Sequence, residues 1–253
     1  MKKILLEISY LGTNFCGYQV QPQKRTVQQQ LNIAAEKLFG FECDIVGCSR
    51  TDSGVHALQY FAAVTQKGCN YLQTSIMIDK IPSAMSFYLP DDITVRSAQW
   101  VDVDFHPRHD VSFKEYTYLI SNSRQRDPFE IGRSWHYPRS ISDVALSDMQ
   151  AACKNLIGTY DFSTYMAANS SVSDTVRTIF SATVEKREDM IIFKICGDGF
   201  LYNMVRIIVG TLILVAEGKI RPEDIPSITE SKDRSRAGVT APPQGLYLSR
   251  VVY

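Results

Sequence analysis

The chain has 253 residues, of which 45% are hydrophobic and 21% charged, and its formal net charge at pH 7 is zero. These values are typical of a folded protein with one large core or two smaller ones. A zero net charge argues against a protein that holds nucleic acid by bulk electrostatics, although it permits a local basic groove.

The sequence predicts neither a signal peptide nor a membrane span. The N-terminal apolar run is short and contains Glu7, so it predicts a strand. The most apolar stretch, residues 200–216, contains Asn203 and Arg206 and is too short to cross a bilayer, so it predicts a buried helix. The six cysteines form no C-x-x-C pair, which favours a cytoplasmic protein with reduced thiols.

In the first half, alternating apolar residues predict strands and two stretches predict helices. Thr26, with Gln29 three residues later, predicts the start of the first helix, which Gly40 ends. A second helix is predicted over residues 70–80, with Asn70 as its cap. The predicted strands are residues 2–10, 43–46, 58–66 and 93–101.

The second half repeats this order of elements with different residues. The predicted elements are a strand (113–121), a helix (142–156), two long strands (175–187 and 190–196), the buried helix from residue 200, a short helix (225–230) and a last strand (246–252).

Strand–helix–strand–strand therefore occurs twice, in residues 1–66 and 113–196. This order predicts an α/β (α+β) protein of two tandem split-βαβ halves that share one mixed, mostly antiparallel sheet with helices on one face. The predicted domains are residues 1–105 and 106–253.

The stretch from Gly47 to Tyr60, GCSRTDSGVHALQY, concentrates polar chemistry in one loop. Arg50, Asp52 and His56 lie within seven residues, directly before an apolar strand. Loops fixed to a buried strand often carry catalytic groups. The same pattern also describes a surface turn in which the aspartate hydrogen-bonds its own backbone.

Other kinds of site are poorly supported. Neither the P-loop nor the dinucleotide-binding glycine spacing occurs. His106 and His109 could bind a metal, but no third ligand stands at a recognisable spacing, so no metal site is predicted.

Asp52 remains as the catalytic candidate, because an ionised carboxylate can act as a nucleophile or base without a metal. A nearby arginine would lower its pKa, whereas burial would raise it. Arg206 lies in an apolar segment, where an unpaired charge is costly and a carboxylate partner is expected. The alternatives are a salt bridge between Arg206 and another acid, or a side chain that reaches solvent.

Tyr116 and Tyr118 lie two residues apart and so on one face of their predicted strand. Tyrosines on a sheet face near arginines can stack nucleic-acid bases. Core packing is the simpler explanation for each tyrosine.

Several segments together resemble a known family. Residues 50–57, RTDSGVHA, resemble the R-T-D-A-G-V-H-A signature of the TruA family of tRNA pseudouridine synthases, and residues 10–19 resemble its Y-D-G-x-x-F-x-G-W-Q motif. The other matching segments are residues 26–28, 89–93, 105–108, 161–163, 199–206 and 245–248. Each match is short, but their order over the whole chain makes the resemblance specific.

The resemblance implies the pseudouridine synthase fold and a homodimer that uses no metal and no cofactor. It implies that the protein isomerises uridine to pseudouridine in the anticodon stem-loop of tRNA, at positions 38, 39 and 40. The expected partner is therefore tRNA, and neither DNA nor a membrane is expected.

The resemblance also assigns roles by position. Asp52 would be the nucleophile, attacking either the uracil ring or the ribose C1′, and Arg206 would pair with it. Tyr116 would pack on the target base, Arg50 would help to flip the uridine and fill the vacated space, and Leu246 would line the pocket. Flipping costs roughly a few kcal/mol, of which stacking could return about 1–3 kcal/mol. His56 is expected to hold the loop.

The chain departs from the family at four places, none of which is a predicted catalytic residue. The departures are Ser49 for Gly, Ser53 for Ala, Tyr18 for Trp, and the pair Tyr202-Asn203 for a His pair. Two other functions are weighed against the isomerase. One is an RNA-binding protein that folds or checks tRNA without chemistry, and the other is a metal-dependent hydrolase built on His106 and His109.

Overall fold

The computed structural model describes residues 1–168 and 172–253. The chain divides into two compact units, one formed by Met1–Ser112 with Tyr247–Tyr253 and the other by Phe113–Leu246. The sequence-based division at residues 105 and 106 stays a prediction. It differs from these units in placing the last strand with the second half.

The described residues form ten strands and five α-helices, which confirms the predicted mixed α/β class. The strands are β1 (Lys2–Tyr10), β2 (Cys43–Gly47), β3 (His56–Gln66), β4 (Ile93–Asp102), β5 (Phe113–Ser121), β6 (Trp135–His136), β7 (Gly158–Asp161), β8 (Val176–Arg187), β9 (Met190–Gly197) and β10 (Leu246–Val252). The helices are α1 (Val27–Phe39), α2 (Ile81–Ser86), α3 (Asp143–Lys154), α4 (Met204–Ala216) and α5 (Ile225–Glu230).

In the first unit, β3 lies inside the sheet, because β1 pairs antiparallel with it on one edge and β10 pairs parallel with its start. The antiparallel partners β4 on β1 and β2 on β3 complete this sheet. The alternation predicted for β1 is present, with Ile4, Leu6 and Ile8 fully buried. The loop between β2 and β3, residues 48–55, therefore leads directly into an interior strand.

Helix α1 begins and ends where the sequence predicts. The Thr26 side chain accepts a hydrogen bond from the Gln29 N–H at 3.4 Å, and Gly40 ends the helix in the left-handed conformation with φ 78°. Buried residues on one side of the helix, Leu31 and Ala34 among them, give it the amphipathic pattern that the sequence shows.

The helix predicted over residues 70–80 is wrong. The Tyr71 carbonyl accepts from Gln66 N–H and the Leu72 N–H donates to the Lys2 carbonyl, both at 2.9 Å. Because these main-chain groups bond to the ends of β3 and β1, the segment cannot form helical hydrogen bonds there. Helix α2 begins later, at Ile81, followed by a proline that suits a first helical turn.

In the second unit, β9 pairs antiparallel with β5 and β8, while β7 extends the sheet from β8 and β6 pairs with β5. Helix α3 packs against β8 and against α4. Helix α4 is apolar and almost wholly buried, as predicted, but it starts at Met204 because Tyr202 and Asn203 form a turn. No helix within the described ranges is long and apolar enough to span a membrane.

Candidate active-site residues

The Asp52 loop, residues 48–55, is attached to the core of the first unit by two buried tyrosines. The Tyr60 hydroxyl donates to the Ser49 carbonyl and accepts from the Ser49 N–H at 3.4 Å. Burial raises the pKa of Tyr60 well above its usual value, so the phenol keeps the proton that it donates. The Tyr10 hydroxyl lies 2.7 Å from Thr51 Oγ1. The main chain is thus fixed on both sides of Arg50.

The loop between β1 and α1 holds the other side of the Asp52 loop. The Phe15 carbonyl accepts from the Ser53 hydroxyl at 3.2 Å and from the Gly54 N–H at 3.3 Å. The Tyr18 N–H donates to the Thr51 carbonyl at 3.1 Å. Both chain neighbours of the catalytic aspartate candidate are therefore hydrogen-bonded to this loop, which gives its carboxylate a fixed base.

His56 anchors the end of the loop. It is fully buried, its Nδ1 accepts from the Gly12 N–H at 2.9 Å, and its ring stacks on Tyr247 at 4.5 Å. A Cβ atom on Gly12 would lie only 1.9 Å from the Val55 carbonyl oxygen, so glycine is required for this close approach. These contacts give His56 the loop-holding position expected from the sequence.

Asp52 itself is half-buried and its carbonyl accepts from the Val55 N–H at 3.1 Å, which closes a turn. Arg50 is exposed. The turn, one of the two arrangements expected from the sequence, is therefore present, and the catalytic role of Asp52 stays a prediction.

In the second unit, Arg206 lies in the first turn of α4 and is half-buried. Its Nε donates to the Ala241 carbonyl at 2.7 Å and its Nη1 donates to Asn203 Oδ1 at 2.6 Å. The Ala241 N–H in turn donates to the Arg206 carbonyl at 3.1 Å. Two nitrogens of one planar guanidinium are therefore fixed by two different segments.

The segment that carries Ala241, residues 237–245 and here named the strap, contacts the main chain of α4 directly. A Cβ atom on Gly210 would lie 1.8 Å from the Val239 carbonyl oxygen, and one on Gly238 would lie 2.3 Å from the Gly210 carbonyl carbon. The Gly238 N–H also donates to Thr211 Oγ1 at 2.9 Å. The strap is thus held against α4 by main-chain packing next to Ala241.

The two tyrosines of β5 differ in their surroundings. Tyr118 is fully buried and donates its hydroxyl proton to the Pro242 carbonyl at 2.6 Å, so it supports the strap. Tyr116 is 7% exposed and meets Phe200 edge-on, with ring centroids 5.0 Å apart. Leu246, the first residue of β10, is also buried. The substrate contacts predicted for Tyr116 and Leu246 stay predictions.

His106 and His109 lie side by side, with ring centroids 4.1 Å apart. The Nδ1 atom of His106 accepts from the backbone N–H groups of Arg108 and His109 at 3.1 and 3.3 Å. Within residues 1–168 and 172–253, no group of three or more His, Cys, Asp or Glu side chains could hold a metal ion. The His106 side chain stabilises its own turn through the two hydrogen bonds that it accepts.

Comparison with known proteins identifies the family of this chain. The sequence profile of a family described as tRNA pseudouridine synthase matches residues 8–110 and 152–253. The tRNA pseudouridine synthase A of Thermoanaerobacter sp. (strain X514) is 44% identical over 255 residues, and that of Acetivibrio thermocellus is 43% identical over 254. Both alignments cover 100% of this chain and 100% of the relative. The chain belongs to the tRNA pseudouridine synthase family.

More distant proteins add less to this assignment. The tRNA pseudouridine synthase A of Clostridium acetobutylicum is 41% identical over 255 residues, again over both full lengths. A chain in the crystal structure of a Cbf5-Nop10-Gar1 complex can be superposed on this one with a TM-score of 0.38 and 11% sequence identity. The superposition covers 96% of this chain and 57% of that chain. A likeness of that size carries no argument.

Two departures from the motifs of the tRNA pseudouridine synthase family have a structural explanation. Tyr18, at the position usually held by Trp, stacks on Tyr60 with ring centroids 4.5 Å apart and so still packs beneath the Asp52 loop. Asn203, at the position of a His, accepts the hydrogen bond from Arg206.

The contacts of Tyr10, Tyr60 and Asn203 were not predicted from the sequence. The two tyrosines act on residues 41 and 11 positions away, which leaves no local signal. For Asn203 a signal existed, because a side chain three residues before Arg206 can reach it at the start of a helix.

Proposed function

We propose that this protein converts uridine to pseudouridine in the anticodon stem-loop of tRNA, at positions 38, 39 and 40. The observation that carries the proposal is the Arg50–Ala57 signature, which occupies a loop fixed on both sides of Asp52. Full-length identities of 41–44% to proteins named tRNA pseudouridine synthase A support the same reaction.

The reaction balances without a co-reactant. The N1–C1′ bond of uridine breaks, a C5–C1′ bond forms, C5 loses its proton and N1 gains one. The enzyme has to hold the detached uracil while it rotates, and a covalent bond to a carboxylate is one way to do so. We assign this nucleophilic role to Asp52, with either the uracil ring or the ribose C1′ as its target.

Arg206 is the proposed ion-pair partner of Asp52. A guanidinium beside a carboxylate lowers the pKa of the acid and so keeps it ionised at neutral pH. The hydrogen bonds from Arg206 to Asn203 and Ala241 support this role, because an oriented guanidinium loses less entropy when it pairs. Arg206→Lys should therefore lower activity even though the charge is retained.

Three further residues are proposed to contact the target nucleotide. Tyr116 packs on the flipped base, Leu246 lines the pocket, and Arg50 helps to displace the uridine and fills the space that it leaves. The exposure of Arg50 suits a residue that enters an RNA stem.

We also propose that the enzyme is a homodimer that acts in the cytoplasm on its tRNA. With a net charge of zero per chain, a dimer could align two local basic grooves along one tRNA. Light scattering of the purified protein tests this state, and a monomeric mass at working concentration would contradict it.

The reaction is tested with tRNA transcripts labelled with tritium at uridine C5, since tritium release reports loss of the C5 proton. Asp52→Ala and Asp52→Asn should abolish release, whereas Asp104→Asn, a change at an exposed aspartate, should have no effect. Release by Asp52→Ala at the wild-type rate would exclude the nucleophile assignment.

The target position is tested separately with transcripts in which the uridines at 38, 39 and 40 are replaced by cytidine. Loss of release from these transcripts is expected. Continued release would place the reaction elsewhere in tRNA. Tight tRNA binding by the wild type with no release from any transcript would instead favour an RNA-binding protein without chemistry.

A further inference from the structure

Asn203 uses its side chain in an unusual way for a residue at the start of a helix. It occupies the position before α4, where an asparagine commonly accepts from the first N–H groups of the helix. Here the Asn203 side chain makes no such cap, and its backbone is left-handed, with φ 60° and ψ 8°. Asparagine tolerates this conformation better than most residues.

The Asn203 side-chain oxygen instead accepts from Arg206 Nη1 at 2.6 Å. A hydrogen bond from a charged donor is stronger than a neutral one. The second fixed point of the guanidinium, the Ala241 carbonyl at 2.7 Å from Nε, belongs to the main chain. The contact with Asn203 can therefore be removed by a side-chain substitution, whereas the contact with the Ala241 main chain cannot.

We propose that Asn203 is a positioning residue for the pseudouridine reaction. Its Oδ1 atom, which accepts from Arg206 Nη1, sets the orientation of the Arg206 guanidinium. This inference rests on the proposed catalytic role of Arg206. Asn203 acts through Arg206 and not on the substrate, so its loss should reduce turnover and leave tRNA binding almost unchanged.

The test compares variants that separate the backbone of residue 203 from its side chain. Asn203→Gly keeps the left-handed conformation without strain and removes the amide. Asn203→Asp also tolerates this conformation and keeps an acceptor oxygen. Glu188→Gly is the matched control, because Glu188 is also left-handed, with φ 53°, in the turn between β8 and β9.

Single-turnover and steady-state rates are measured on a tRNA transcript, together with thermal unfolding. Asn203→Gly should lower kcat roughly ten- to hundredfold, the factor that corresponds to losing a hydrogen bond to a charged group, with KM and the unfolding temperature close to wild type. Asn203→Asp should recover most of the lost kcat, and Glu188→Gly should match the wild type.

Wild-type kcat in Asn203→Gly would overturn the proposal, as would a rise in KM with kcat unchanged. Arg206→Lys, measured in parallel, distinguishes a failure of the role proposed for Arg206 from a failure of the role proposed for Asn203. If it retains full activity, the role assigned to Arg206 fails. If it loses activity while Asn203→Gly does not, only the role of Asn203 fails.

Discussion

The Tyr60 hydroxyl hydrogen-bonds both main-chain polar groups of Ser49, donating to its carbonyl and accepting from its N–H. One side chain of an interior strand thus fixes the main chain three residues before Asp52. The ring beneath it is itself packed against Tyr18. The position of the Asp52 loop therefore depends on a phenol oxygen in the core of the first unit.

Tyr60→Phe should lower both turnover and stability. The substitution keeps the ring and removes two hydrogen bonds, each of which contributes about 1 kcal/mol, so the free energy of unfolding should fall by about 1–2 kcal/mol. We expect kcat to fall severalfold while tRNA affinity is retained, measured by tritium release and filter binding. Tyr88→Phe, at a more exposed ring, is the control and should behave as wild type.

Gly12→Ala should disrupt the Asp52 loop. The added Cβ would lie 1.9 Å from the Val55 carbonyl oxygen, so one of the two main chains must move. Denaturant unfolding should show a loss of about 3 kcal/mol in the free energy of unfolding, at the upper end of the usual range for overpacked core sites. In Gly68→Ala the added Cβ would meet no atom within 4 Å, so only the φ of 76° is unfavourable for alanine. This substitution should lower the free energy of unfolding by about 1–2 kcal/mol. Equal losses in the two variants would contradict the crowding argument.

Tyr116→Phe and Tyr116→Ala distinguish stacking from hydroxyl chemistry. If Tyr116 packs on the target base, its ring is the necessary part, so Tyr116→Phe should retain most activity. Tyr116→Ala should lose the stacking energy of about 1–3 kcal/mol, a rate loss of roughly ten- to hundredfold in kcat/KM. An inactive Tyr116→Phe with a native melting curve would show that the hydroxyl is required.

Acid should remove a stabilising ion cluster around Glu217. Hydrogen bonds from Lys219, Tyr137 and Arg139 lower the pKa of Glu217 from 4.5 to about 2. A lowered pKa in the folded state stabilises the protein above about pH 4.5, and this contribution is lost as the pH falls through about 2. The effect should be modest, because the side chains of Lys219 and Arg139 are largely exposed.

The measurement for this cluster is the difference in unfolding free energy between wild type and Glu217→Gln. The difference should be largest at pH 7 and should shrink progressively below pH 4.5. Glu36→Gln, at an exposed position of α1, should show no such trend. A difference in unfolding free energy that grows in acid would contradict a stabilising role of ionised Glu217.

Elements with a local signal were predictable from the sequence, and those with a distant cause were not. The strand at residues 246–252 was predicted to the residue, and the short helix was predicted near its observed place at residues 225–230, because their signals lie within each segment. The helix predicted over residues 70–80 is absent because the Leu72 N–H donates a hydrogen bond to the Lys2 carbonyl. No local pattern in the sequence indicates this distant partner.

In the candidate site, likewise, some residues could be predicted from the sequence and others could not. Asp52 and Arg206 stand out as polar groups in an unusual sequence context. Tyr10 and Tyr60 look like ordinary core aromatics, since only the folded chain brings their hydroxyls to the loop. A sequence motif therefore predicts candidate reacting groups more readily than it predicts the residues that hold them in place.

The direct contact between Gly210 and Gly238 has a consequence for how this part of the chain can vary. The strap, which carries the Ala241 carbonyl, is held against α4 by two main chains that touch with no side chain between them. Val239, whose carbonyl forms part of the contact, is 71% exposed, so its side chain is free to differ. A saturation library across residues 237–241 should therefore tolerate many residues at 239 and almost only glycine at 238, with a matching glycine requirement at 210.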